Sequence, residues 1–186
     1  MKQNIPTWLT AMRIGLLPVI VAVFYIDEVW ARPLSCALFT IAGITDWLDG
    51  YLARKWKTES RFGAFLDPVA DKLLVATVLI LIVEYDASAW LTIPAIIIIG
   101  REITISALRE WMAEMGERNK VKVGNIGKVK TGVQMTALGM LLFKLDFLGL
   151  PIYQMGIIGL YIATALTIWS MVGYLKAAFA DTRPTN

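Results

Sequence analysis

Six stretches of about 20 mostly apolar residues nearly fill this 186-residue chain, and that density constrains the fold more than any single motif. A helix needs about 20 such residues to cross a hydrocarbon core of about 30 Å, where every backbone N–H and C=O must be satisfied within the segment. The stretches cover residues 8–26, 34–54, 67–85, 90–111, 126–145 and 152–176. Composition agrees. The chain is 57% hydrophobic and 18% charged, with a mean hydropathy of +0.61, against about 45–50% and about 25% in soluble domains. The expectation is an all-α integral membrane protein with six transmembrane helices, forming one domain over residues 1–186. A signal peptide competes for the first stretch, but Arg13 interrupts it and no A-x-A site follows. Pro6, Thr7 and Trp8 suit a short interfacial helix over residues 2–8 leading into the first span.

Charge orients the chain. The 18 Lys and Arg outnumber the 15 Asp and Glu by three, and their placement matters more than their sum. With the N-terminus inside, the outward turns hold only Arg32 and Lys144, and the other sixteen cations lie on the inner half. The positive-inside rule then gives N-in, C-in, a multi-pass protein with its basic loops in the cytoplasm. No internal repeat is visible, which counts against an inverted-repeat transporter.

Histidine is absent and Cys36 is the only cysteine, which excludes a Ser-His or Cys-His nucleophile, a zinc cluster and an intrachain disulfide. Any metal must be held by oxygen. Asp46 and Asp49 sit three apart near the inner end of the second helix, and Asp67 and Asp71 four apart at the inner start of the third. Both spacings place a pair on one helical face. The intervening segment, containing Gly50, Gly63 and Ala64, is long enough for a reversal that brings the four carboxylates together. Like charges that close repel by several kcal/mol in a low dielectric, so protons or cations must fill the site. Carboxylates and water suit Mg²⁺ or Mn²⁺, and two such ions are the usual device for displacement at phosphorus. Salt bridges to Arg54, Lys55 and Lys72, or a proton pathway, are the alternatives. A pathway would distribute its acids through the depth of the membrane. Arg54, two turns after Asp46, is placed to meet a ligand phosphate.

The run Asp46-x2-Asp49-Gly50-x2-Ala53-Arg54-x8-Gly63-x3-Asp67-x3-Asp71 resembles the signature of the CDP-alcohol phosphatidyltransferase family at all eight fixed positions. The opening NIPTWLT, REITISALREWMAEMG and IGKVKT are similar to bacterial members that use glycerol 3-phosphate, so the resemblance covers most of the chain. It implies transfer of a phosphatidyl group from CDP-diacylglycerol to an alcohol with release of CMP, in a six-helix, typically dimeric membrane fold using Mg²⁺ or Mn²⁺. It implies that Asp46, Asp49, Asp67 and Asp71 hold two metal ions and that Asp71 is also the general base. Asp49, Gly50, Ala53, Arg54 and Gly63 are then the CDP-binding part. The setting implied is the bacterial inner membrane, with membrane lipid as environment and no nucleic-acid partner.

If the acceptor is sn-glycerol 3-phosphate, its dianionic phosphate needs fixed cations. Arg101 and Arg109, eight apart and close to one face, and Lys128 and Lys130 at the start of the fifth helix, are the candidates. Arg101 lies deep in an apolar span and needs a partner, either a ligand phosphate or an acid such as Glu102. Arg118, Lys120 and Lys122 suit a headgroup-attracting patch, and Trp169 and Tyr174 suit core, belt or dimer contacts. Inositol phosphate, serine or phosphatidylglycerol as acceptor, a small transporter, and a non-catalytic scaffold are the rival readings.

Overall fold

A computed structural model describes residues 5–56, 61–116 and 125–179. They form α1 (Ile5–Phe24), α2 (Ala31–Trp56), α3 (Arg61–Asp86), α4 (Ala89–Glu114), α5 (Asn125–Phe143) and α6 (Ile152–Phe179). Each helix contacts two ring neighbours in the order α1, α3, α4, α6, α5, α2 and back to α1, so the bundle closes on itself. Further contacts of α3 with α5 and α2 cross the ring. α4 and the Ile152–Lys176 part of α6 are long and apolar enough to cross a membrane. α2 and α3 have the length, 26 residues each, but carry the aspartates. Large apolar side chains such as Ile96, Ile158 and Trp169 cover the outside of the bundle, the exterior of a protein solvated by lipid rather than water.

Local chemistry sets the helix ends. Ser88 caps α4, its hydroxyl accepting from Trp90 N–H at 3.3 Å. Gly116, with φ +77°, follows the C-cap in the left-handed conformation that stops a helix. Pro94 has no N–H for the Trp90 carbonyl one turn earlier, and Tyr161 on α6 donates its hydroxyl there at 3.0 Å. Pairing between α5 and α6 depends on small residues. A Cβ on Gly156 would lie 3.1 Å from the Leu141 backbone nitrogen, so any larger residue would push the two helices apart by a few tenths of an ångström.

Two expectations need correction. α3 begins at Arg61 rather than near Asp67, so Gly63 and Ala64 lie inside a helix, and the reversal between α2 and α3 is shorter than the sequence suggests. Pro68 lies within α3. The separate interfacial helix expected over residues 2–8 is described only from Ile5, where it is the first turn of α1.

The larger apolar core, with Phe24, Leu79, Ile82, Leu91, Leu138 and Leu142 among its members, is centred in the half of the bundle away from the aspartates, and a smaller cluster of Ile105, Leu108, Met112 and Tyr174 packs at the other end. That far end is closed by a cluster of cations and aromatic rings. The Arg32 guanidinium of α2 lies 3.8 Å from the ring centroids of both Phe24 (α1) and Tyr85 (α3), each a cation–π contact. Lys144 pairs with Asp86 at 3.0 Å and lies 4.1 Å over Tyr85, while the Tyr153 hydroxyl of α6 donates to Asp86 at 2.6 Å.

Candidate active site

The opposite end of the bundle holds the buried charged residues Arg13, Asp49, Arg101 and Lys130, in two adjoining centres of opposite charge. In the first, the Asp46–Asp49 face of α2 and the Asp67–Asp71 face of α3 both turn toward α1. α1 answers with Thr10 and Arg13, themselves one turn apart. Arg13 is fully buried, at 0% exposure. Its Nη2 donates to Asp49 Oδ2 at 2.5 Å, and its Nη1 lies 2.6 Å from Asp46 Oδ1 and 3.6 Å from Asp71 Oδ1. The Thr10 hydroxyl donates to Asp67 Oδ1 at 2.6 Å and lies 3.5 Å from Asp49 Oδ2. The four carboxylates thus gather around one guanidinium and one hydroxyl. Asp49 is buried, whereas Asp71 has a 57% exposed side chain that opens into the cavities beside it.

From sequence, Arg13 is an interruption in an apolar stretch; in the fold it is the internal counter-ion of the acidic centre. The available signal was a Thr and an Arg at helical spacing in an otherwise apolar segment, since a buried guanidinium must find anions. Among the described residues no three acids are grouped as ligands of one metal ion, and the guanidinium stands among them. The donor set still fits a divalent ion: four carboxylates, oxygen only, with negative charge dense enough to draw in a buried cation.

The second centre lies between α3, α4, α5 and α6. Arg101 and Lys130 are buried, and both reach the same oxygen of Glu102, Arg101 Nη1 at 3.1 Å and Lys130 through its ammonium. Arg101 Nη2 donates to Ser170 Oγ at 3.1 Å. Arg109 Nη2 donates to the Tyr174 hydroxyl at 3.3 Å, and the Tyr174 ring lies 5.7 Å from the Arg101 guanidinium carbon and 5.3 Å from that of Arg109. Tyr174, expected as core or belt, is buried but lies against both arginines. The Nε atoms of Arg101 and Arg109 are buried without a hydrogen-bond partner, and buried donors of that kind are rare unless an acceptor arrives. Lys72 donates to Ser106 beside this pocket.

Three cavities run in sequence. An apolar groove of about 550 Å³ between α2 and α5 is lined by residues including Phe39, Gly43, Trp47 and Met135. Gly43, Trp47 and Met135 also line a cavity of about 300 Å³ that reaches Asp46 and Asp71. Asp71, Lys72 and Glu102 are shared with a third of about 500 Å³, walled by Asp67 on one side and Arg101, Arg109 and Lys130 on the other. Gly50 on α2 is half-buried and Gly63 on α3 buried. Ala53 and Arg54 belong to α2 and Lys128 to α5, but their side chains lie outside the described residues, as do Arg118, Lys120 and Lys122 altogether.

The CDP-alcohol phosphatidyltransferase family model matches residues 3–169. Bacterial relatives named CDP-diacylglycerol–glycerol-3-phosphate 3-phosphatidyltransferase match nearly end to end. One from Sodalis glossinidius is 55% identical over 97% of this chain and 98% of its own length. Another from Pectobacterium atrosepticum is 56% identical with the same coverage, and one from Haemophilus influenzae is 56% identical over 96% of this chain and 95% of its own.

Proposed function

The chain belongs to the CDP-alcohol phosphatidyltransferase family, and from that premise we infer that it joins CDP-diacylglycerol to sn-glycerol 3-phosphate, giving phosphatidylglycerol phosphate and CMP. It is a phospholipid-synthesising transferase. One observation carries the choice of acceptor: a single cavity of about 500 Å³ is bounded by Asp67 and Asp71 and also by Arg101, Arg109 and Lys130. A small molecule with a phosphate at one end and a hydroxyl at the other can engage both.

The residues divide the work. Arg101, Arg109 and Lys130, with Lys128 at the start of α5, bind the acceptor phosphate, and the unpartnered Nε donors find their acceptor in it. This turns the free hydroxyl toward Asp71. Asp71 takes its proton as the oxygen forms a bond to the phosphorus carrying the diacylglycerol unit; the bond from that phosphorus to the CMP oxygen breaks. Asp49, Gly50, Ala53, Arg54 and Gly63 hold the CDP unit, the glycines leaving room and Arg54 pairing with phosphate. The acyl chains lie along the α2–α5 groove, whose lining is apolar and continuous with the reaction cavity.

The family generally depends on a divalent metal, and Asp46, Asp49, Asp67 and Asp71 are the residues that would hold two ions of Mg²⁺ or Mn²⁺. When bound, such ions polarise the phosphoryl group and stabilise the departing CMP. We further read the chain as one catalytic domain over residues 1–186, crossing the bacterial inner membrane six times with both termini and the reaction site on the cytoplasmic side, and as a homodimer.

The test is CMP release by the purified protein in liposomes with CDP-diacylglycerol, Mg²⁺ or Mn²⁺ and each candidate alcohol. Release with glycerol 3-phosphate and not with inositol phosphate, serine or phosphatidylglycerol is the expected result. Release with a different alcohol replaces the acceptor, and no release with any alcohol from folded, metal-supplied protein overturns the reading.

A further inference from the structure

Glu102 stands where the two cavities meet. It lines both the cavity that reaches Asp46 and the pocket of Arg101, Arg109 and Lys130. It shares both cavities with Asp71, Lys72 and Thr131, so its carboxylate borders the same space as Asp71 and the cations assigned to phosphate. Its partners are buried, Arg101 at 7% and Lys130 at 3% side-chain exposure, while Glu102 itself is 26% exposed. Every described polar contact of its carboxylate uses Oε1, which takes Arg101 Nη1 and the Lys130 ammonium together. An ion bridge alone needs no more than that oxygen. The second oxygen remains available at the junction.

We propose that Glu102 is the specificity-determining residue for the acceptor's carbon chain: Oε1 keeps Arg101 and Lys130 in place, and Oε2 accepts a hydrogen bond from a hydroxyl on the carbon between the phosphate end and the attacking end. This inference rests on the acceptor assigned above. It follows from the chemistry of the junction. A carboxylate beside the chain accepts from a vicinal hydroxyl, and it repels a second phosphate at that position. Sites built to hydrogen-bond a substrate hydroxyl reject the analogue lacking it, because a buried polar group is then left unmatched. Tyr174 and Ser170, the other polar groups against these cations, bind Arg109 and Arg101 rather than facing Asp71.

The experiment compares glycerol 3-phosphate with 3-hydroxypropyl phosphate, which differs only by the missing middle hydroxyl, in liposomes with CDP-diacylglycerol and Mn²⁺. The parent protein should prefer glycerol 3-phosphate by about 10–100-fold in kcat/KM. Glu102→Gln should cut that preference to below about 5-fold, read as the ratio of kcat/KM for the two acceptors, which cancels any change in phosphate binding common to both. A parent that uses both acceptors equally overturns the inference whether or not the variant folds. So does a Glu102→Gln protein in which both acceptors fall together and the preference is kept, the signature of a purely structural ion bridge. Should Glu102→Gln fail to fold, Glu102→Asp, which keeps the charge and withdraws it by one methylene, takes its place with the same expected loss of preference. Absence of CMP release from the parent with either acceptor overturns the assigned activity itself, a result distinct from lost discrimination.

Discussion

Around the aspartates, α1 inserts a guanidinium; around the cations, α4 supplies a carboxylate. The two centres share a plan, a cluster of one sign holding one side chain of the other, but they differ in how tightly that side chain is held. Arg13 comes from 33 to 58 positions away, is fully buried and touches three acids. Glu102 is the immediate neighbour of Arg101 and is partly exposed. The acidic centre sets one guanidinium against four carboxylates and keeps a negative excess, and a metal ion entering it would meet that buried cation. The basic pocket sets Glu102 against Arg101, Arg109 and Lys130 and keeps a positive excess that suits a soluble anion. A membrane-bound substrate and a water-borne one are thus met by a closed and an open version of the same device.

The comparison breaks first at Asp71. Asp71→Asn, which keeps the shape and removes the base, should reduce CMP release at saturating acceptor by about 10²–10⁴-fold, with the elution profile and melting temperature of the purified protein retained. Next, Arg13→Leu leaves buried acids without their counter-ion. The metal-free protein should lose about 3–5 kcal/mol of stability, read as a lower melting temperature in chelator, and added Mn²⁺ should recover more of that loss than it adds to the parent. If Mn²⁺ stabilises both equally, the guanidinium does not compete with metal. Arg109→Met tests the open centre: KM for glycerol 3-phosphate should rise roughly 10–100-fold with KM for CDP-diacylglycerol unchanged. A parallel rise in both constants would remove Arg109 from the acceptor pocket. The smallest effect belongs to Tyr174→Phe, which keeps the ring under both guanidiniums and removes the hydroxyl that accepts from Arg109. It should raise KM for glycerol 3-phosphate only about 2–5-fold.

Much of this organisation was legible in the sequence because it repeats at helical period. The spacing of Asp46 with Asp49 and of Asp67 with Asp71 fixes a shared face in any helix, and Arg101 with Arg109 follows the same arithmetic. What local period cannot contain is the identity of the partner across the bundle. Arg13 looked like a flaw in an apolar stretch because its anions are on other helices, and Tyr174 is core, packed with Ile105, Leu108 and Met112, but its ring also lies against two guanidiniums that its own helix does not supply. The beginning of α3 was misplaced for another reason. The apolar window that marks a span begins near Asp67, yet the helix extends back to Arg61. α6 was the easiest to see, since its apolar run over residues 152–175 carries no charge, whereas α4 shows the same length with Arg101, Glu102, Arg109 and Glu110 inside it.

The Arg32 cluster makes the bundle behave as a set of rods held in one clamp. It joins α1, α2, α3 and α6 at the end remote from the aspartates, through ring stacking over a guanidinium and through the Lys144–Asp86–Tyr153 contacts. A 26-residue helix such as α2 or α3 is about 39 Å long. Asp46 and Asp49 lie 14 and 17 residues from Arg32, about 21–26 Å along α2, so a tilt of about 4° about the clamped end carries them roughly 1.5–2 Å while the apolar core near the clamp hardly shifts. The leverage falls on the aspartates, so exchanging a guanidinium for an incoming cation requires a small angular change and no disassembly of the packed half.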